Sequence, residues 1–210
     1  MKEKNRILIL APHTDDGELG CGATIAQLSE AGKEIFYVAF SICARSLPTD
    51  LPADTLAKEC QAATQVLGIK SQNFFLKDYD VRVFKEFRQA ILEDLVKLRT
   101  TIKPDLVFVP LSEDIHQDHQ VIYEEGLRAF KNVSILGYEL PWNNIAAKLQ
   151  AVNAVEEKHI DTKMEALRKY QSQKHRNYFD EGFIRGLAKV RGVQAGVSFA
   201  EAFEVIRWVL

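Results

Sequence analysis

Two short clusters of histidine and aspartate hold most of the chemistry this chain could perform. The first is Pro12-His13-Thr14-Asp15-Asp16, which follows the apolar run 7–10. The second is His116-Gln117-Asp118-His119, shortly after the apolar run 106–109. The chain has five histidines, and three of them lie in these two places. Two histidines and one aspartate can hold a catalytic zinc ion while leaving a coordination position open for water. His13 stands three positions before Asp16, close enough to share one ion in a tight loop. Asp15 and Asp16 are adjacent, and adjacent side chains of an extended or turning segment point in different directions. One can reach a metal while the other faces the open position. His116 and His119 are three apart at the start of a predicted helix, so their side chains share a face. A helix N-terminus disfavours imidazolium and so helps keep a ligand histidine neutral. Asp118 can hold or polarise a neighbouring histidine. Zinc held this way acidifies water and polarises a carbonyl oxygen. A free carboxylate beside it takes the proton. A histidine opposite stabilises the oxyanion and protonates a leaving amine. That is the equipment for amide hydrolysis.

Each cluster alone has an ordinary explanation. His-x-Asp-His at a helix start often serves as a solvated cap, and Asp-Asp in a loop as a turn or N-cap. What sets these two apart is position, because each falls just past a buried strand, where open α/β sheets build their sites.

The elements around them alternate. Strands are predicted over 6–11, 34–41, 73–76, 105–110 and 133–140. Helices are predicted over 18–31, 53–67, 83–103 and 118–130, with Gly32, Gly68 and Pro104 as stops. This order argues for an α/β fold, one Rossmann-like domain over 1–210, with a mostly parallel sheet and helices on both faces. The last third is less regular. Helices are expected over 161–173 and 181–190, a glycine-punctuated loop over 191–196, and an edge strand over 202–209. The loop 42–52 is expected to form a mobile rim. Gly17, Gly20 and Gly22 are read as sites of close helix packing. Their GxxGxG order and acidic surroundings do not suit a dinucleotide loop.

Composition excludes several classes. The formal net charge of −2 offers no field for nucleic acid or an anionic membrane. No apolar run approaches the roughly 20 residues of a membrane span, and no export signal is read at the start. Cys21, Cys43 and Cys60 lack CxxC spacing, which points to buried thiols and the reducing cytoplasm.

At these residues the chain resembles the PIG-L/LmbE family of zinc-dependent N-acetyl-sugar deacetylases. The family opens close to P-H-P-D-D-E-x-L-G-C-G-G-T, and this chain reads Pro12 to Thr24 as PHTDDGELGCGAT. The family's H-x-D-H stands at His116–His119. A weaker similarity covers 163–173, 191–196 and 200–203. The resemblance implies a Rossmann-like sandwich with His13, Asp16 and His119 as ligands of one Zn2+ ion, Fe2+ being the alternative. It implies Asp15 as general base, His116 as electrophile and general acid, and Asp118 as the residue that tunes His116. The implied substrate is a small molecule containing an N-acetylhexosamine: a glycoside, a nucleotide sugar or a glycan precursor. Family members are often homo-oligomers. Thr14 and Gly17 depart from the motif's proline and glutamate. Asp114 stands where some members carry an oxyanion-binding tyrosine, a part it cannot play when ionised. Arg45 is a candidate for binding the substrate, and Tyr178, Gln194 and Glu201 for the cavity mouth. His159 and His175 read as surface residues. The rival readings are hydrolysis of a non-sugar amide, a catalytically silent sugar-binding protein, and a nucleotide-binding module.

Overall fold

The computed structural model describes residues 3–48 and 50–210. Its sheet has seven strands in the order β3-β2-β1-β4-β5-β7-β6. The strands are β1 (Arg6–Ala11), β2 (Glu34–Ala39), β3 (Phe74–Leu76), β4 (Leu106–Pro110), β5 (Ser134–Tyr138), β6 (Ala151–Val155) and β7 (Phe199–Arg207). The first five pair in parallel, and β7 runs antiparallel to β5 and β6. Six helices cover the sheet: α1 (Asp16–Glu30), α2 (Thr55–Val66), α3 (Arg88–Ile102), α4 (Gln117–Ala129), α5 (Glu157–Leu167) and α6 (Glu181–Ala195).

Strand β1 shows why the layers form. Ile7, Ile9 and Ala11 enter one core with residues of α1, α2 and α5, while Leu8 and Leu10 enter the other with α3 and α4. A strand apolar on both faces must be covered twice, and parallel strands need helical crossovers to do it. The predicted fold class therefore holds.

The last third departs from expectation. The loop expected over 191–196 is helical to Ala195. Gly196 takes φ 72° after it, and Val197 N–H donates to the Gly192 carbonyl (2.9 Å), closing the helix as a Schellman turn. A Cβ on Gly192 would lie 2.7 Å from Ser198 O, so this glycine admits the returning chain and does not break the helix. The expected edge strand is β7, which lies inside the sheet. The true edge is β6, whose Ala-Val-Asn-Ala-Val sequence carries little strand signal. The helix expected over 161–173 runs instead over α5, and the first turn of the helix expected from 83 is a separate 3-10 turn.

Helix α1 is broken at Cys21 (φ −146°). The break frees backbone groups that a buried ion pair takes up. Lys163 of α5 donates to Leu19 O (2.7 Å) and to Glu201 (2.7 Å). Glu201 of β7 accepts from Ala23 N (3.1 Å) and Thr24 N (2.7 Å). Burial of α1 is close: a Cβ on Gly17, Gly20 or Gly22 would collide with Tyr37, Tyr138 or Lys163. The packing reading of these glycines is the right one.

Glu18 lies beneath the first cluster with no cation beside it. Tyr37 Oη donates to its Oε2, and Tyr170 Oη lies 2.7 Å from its Oε1. Tyr170 Oη also contacts the Thr14 carbonyl. A phenol has one proton and a carbonyl none. Tyr170 therefore donates to Thr14, and its contact with Glu18 needs a proton on the carboxyl. Burial agrees, since it pushes Glu18 up to about 8 against both tyrosines.

Two outcomes follow for stability. Glu201→Ala strips Lys163 of its carboxylate and leaves the Ala23 and Thr24 N–H groups without their acceptor, and urea unfolding should show a loss of about 3–5 kcal/mol. A loss below about 1 kcal/mol would show that α1 does not depend on the pair. Between about pH 4.5 and 8 the folded chain keeps the Glu18 proton that the unfolded chain has released. Stability therefore falls as pH rises through that window, by up to about 1.4 kcal/mol per pH unit. In metal-free protein, the stability of Glu18→Gln relative to the parent should rise across the window; a pH-independent difference would place the charged form in the fold.

Candidate active site

The sheet order reverses between β1 and β4, which lie side by side with Ile7, Leu8 and Ile9 opposite Leu106, Val107 and Phe108. Open α/β sheets leave a crevice at the carboxyl ends of strands at this point. Both clusters open into it. His13, Asp15 and Asp16 follow β1, while His116 caps α4 and His119 lies in its first turn. All five line one cavity of about 280 Å³.

Three atoms converge there. Asp16 Oδ2 lies 3.2 Å from His13 Nδ1 and 3.3 Å from His119 Nε2, and the two nitrogens are 3.1 Å apart. Each imidazole has a carboxylate on its other nitrogen. His13 Nε2 is 3.0 Å from Asp118 Oδ2, and His119 Nδ1 is 2.7 Å from Asp114 Oδ2. The carboxylates are themselves held by backbone N–H groups. His13 N donates to Asp16 (2.8 Å), His116 N to Asp114 (2.8 Å) and Arg82 N to Asp118 (2.6 Å).

The residues fit a divalent cation. Ligands about 2.0–2.1 Å from a tetrahedral ion stand about 3.3 Å apart, which is the spacing of this triangle. Carboxylates on the outer nitrogens fix the tautomers that turn the inner lone pairs toward one another. A wider grouping exists too, since one ligand atom each of His13, His116 and His119 lies within 4.8 Å of the others. The three histidines could hold a metal, but that spread is looser than the triangle containing Asp16.

The electrostatics point the same way. Burial lowers His119, yet Asp16 and Asp114 outweigh it and raise it to about 10. Burial also works against the charge on His13, and Asp16 and Asp118 again raise it. Burial would raise Asp16, but His119 and His13 hold it well below the usual carboxylate range. The centre of the triangle thus favours positive charge. Asp15 stands apart. Burial and then the charge of Asp16 push it up to about 7. His116 is driven down to about 4, by burial first and then by His119 and His13. Its Nδ1 accepts from Asp118 N–H (3.2 Å), so a neutral ring carries its proton on Nε2.

Several expectations need correction. The Asp118 carboxylate hydrogen-bonds His13 rather than His116, which receives its backbone N–H and feels its charge. Asp114, which stands where some family members carry a tyrosine, is buried and holds His119. Exposed Arg45 pairs with Asp80 (2.9 Å) and does not line the cavity. Tyr178 does line it, stacked on Trp142 with ring centroids 4.2 Å apart. Gln194 lies outside, against Arg191, and Glu201 is buried beneath α1. His159 is buried, with Nδ1 accepting from Glu156 N and Nε2 against Glu30, while His175 is exposed as expected. Sequence reasoning missed Arg82, Trp142 and Arg176, which line the cavity from segments without a motif. Arg82 had a usable signal, since it lies in the loop after β3, at the carboxyl end of the parallel sheet where sites form. The three cysteines are buried and free. Among the described residues no helix is long and apolar enough to cross a membrane.

Comparisons with known proteins show the family and the fold. The chain is 31% identical over 175 residues to an Escherichia coli K12 protein described as uncharacterized deacetylase YaiS, covering 81% of this chain and 92% of that one. Its fold is similar to that of N,N'-diacetylchitobiose deacetylase from Pyrococcus horikoshii (TM-score 0.81, 22% identity, 97% of this chain and 84% of that one). It is also similar to that of GalB, the 4-carboxy-2-hydroxymuconate hydratase of Pseudomonas putida KT2440 (TM-score 0.78, 18% identity, 97% of each chain). The family model described as PIG-L, GlcNAc-PI de-N-acetylase, matches residues 8–130, which include both clusters. The chain belongs to the PIG-L family of deacetylases.

Proposed function

We propose that this protein is a metal-dependent amidohydrolase that removes the acetyl group from an N-acetylhexosamine within a small glycoside, nucleotide sugar or glycan precursor. The observation that carries this reading is the His13, Asp16 and His119 triangle with a carboxylate behind each imidazole. These three residues would hold the ion, with zinc favoured by the nitrogen and oxygen donors and Fe2+ the alternative. When bound, such an ion supplies Lewis acidity toward a carbonyl and acidifies water. The sugar is favoured because a similarly folded protein is a diacetylchitobiose deacetylase, and the stacked Trp142 and Tyr178 give the cavity an aromatic wall. Free buried thiols suit a cytoplasmic enzyme.

The remaining roles follow from proton accounting. Among the described residues no side chain holds the Asp15 carboxylate, which lines the cavity and can take a proton from water. His116 was expected to serve as both electrophile and acid. With Nδ1 occupied as an acceptor, its ring has one proton to offer, on Nε2. It can donate a hydrogen bond to a developing oxyanion, but releasing that proton would leave an imidazolate. The proton for the leaving amine therefore comes from Asp15, which has just acquired one. A carboxyl near 7 can work in both directions at neutral pH.

Amine release from N-acetylglucosamine derivatives, assayed with metal content, tests the reading. Asp15→Asn should keep its metal and lose about 10²–10⁴-fold in kcat; metal loss would make Asp15 a ligand. Asp118→Asn should weaken metal affinity about 10–100-fold in a chelator competition, because His13 loses its outer partner. The base must be ionised, so kcat/KM should fall as pH drops through its pKa, which a neighbouring cation places at or below about 7. His116 is neutral throughout pH 5–9 and should add no basic limb. A basic limb in that range that disappears in His116→Ala would restore it as the acid.

A further inference from the structure

The sequence has eleven arginines. Nine have a carboxylate or carbonyl within ion-pair or hydrogen-bond distance. Among the described residues, the guanidinium groups of Arg82 and Arg176 have none. Both of these line the cavity that holds the two clusters, and both are exposed where it meets solvent. Asp15 and Asp16 line the same cavity, yet among the described residues no ion pair joins either arginine to them.

Arg82 is also anchored in an unusual way. Its backbone adopts φ 72°, a left-handed conformation that a non-glycine residue takes at a cost. Its N–H donates to Asp118 Oδ2, the oxygen that also meets His13 (3.0 Å), and its carbonyl accepts from Gln117 Nε2 (3.4 Å). The root of the side chain is thereby fixed to the catalytic cluster. Arg176 comes from a distant segment, where its N–H donates to Gln173 O (2.9 Å). Guanidinium forks suit carboxylate and phosphate oxygens and are weakly hydrated, which makes them apt for such groups at a cavity rim.

We infer that the acetylated substrate carries an anionic group, a carboxylate or a phosphate, which Arg82 and Arg176 hold beside the reacting amide. This inference rests on the deacetylase reading of the same cavity and narrows its substrate class. It also moves the recognition of an acidic group from Arg45, which pairs with Asp80 and does not line the cavity.

The test compares the metal-loaded enzyme on four probes: the methyl and carboxymethyl glycosides of N-acetylglucosamine, and its 1- and 6-phosphates. The parent should prefer at least one anionic probe to the methyl glycoside by about tenfold or more in kcat/KM. Arg82→Ala and Arg176→Ala should each lower kcat/KM for that probe about tenfold more than for the methyl glycoside. The preference should shrink as salt is raised from about 0.05 to 0.5 M. No preference in the parent, or equal losses on charged and neutral probes, would overturn the inference. If no probe releases amine, the deacetylase reading fails by itself, and calorimetric binding of the same phosphates then decides. Binding lost in the Arg82→Ala/Arg176→Ala double variant supports the anion site, and equal binding in the two proteins removes it.

Discussion

The site rests on a problem of charge. Asp16, Asp114 and Asp118 are all buried, and all three carboxylates lie within 3.3 Å of just two imidazoles. Removing such groups from water is costly unless they are paired and hydrogen-bonded. The backbone supplies the bonds, one N–H or more to each carboxylate. It does not supply enough positive charge. The two histidines can take up protons, and the field pushes them to do so, but a divalent cation at the triangle answers the same field with two charges at one point. This charge balance is what supports the proposed metal ion at the triangle.

That constraint reaches far into the fold. The triangle exists only because β1 and β4 are neighbours, which brings loops about a hundred residues apart to one crevice. It also needs α1 to begin at Asp16 and to lie tight against the sheet, and the C-terminal third secures both. Tyr170 donates to the Thr14 carbonyl, and Lys163 and Glu201 take up the groups exposed where α1 breaks. The segment that is least regular in sequence is the buttress of the catalytic loop. Neither Lys163 nor Glu201 lines the cavity, so their part is to hold the helix that begins at Asp16.

Legibility in the sequence followed the range of the interaction. The parallel strands and the helices between them were readable, because a doubly buried strand is written as a continuous apolar run. The two clusters were readable because their spacing is local. What escaped depended on partners distant in the chain. β6 carries no alternation strong enough to betray an edge strand, and without it β7 looked terminal. Gly192 and Gly196 looked like one loop, although one admits a returning chain and the other closes a helix. The partner of Asp118 is His13, 105 positions away, so nearness to His116 was a poor guide. Arg45 and Arg82 could not be told apart by type; only the position of Asp80 separates a paired arginine from a free one.

Fold likeness alone would not decide the chemistry, since a hydratase and a deacetylase both superpose well on this chain. The discriminating features are positions of protons. A site that splits an amide must bring a proton to nitrogen after water has attacked, and the group that delivers it must first have been able to receive it. His116 is held at Nδ1 by a backbone N–H and cannot accept one there. Asp15 has no side-chain hydrogen-bond partner among the described residues, lines the cavity, and is raised to about 7 by its own burial and by Asp16. The carboxylate of Asp16 also raises the basicity of its neighbour, so in the proposed mechanism the Asp15-Asp16 pair divides binding from proton transfer between two adjacent residues.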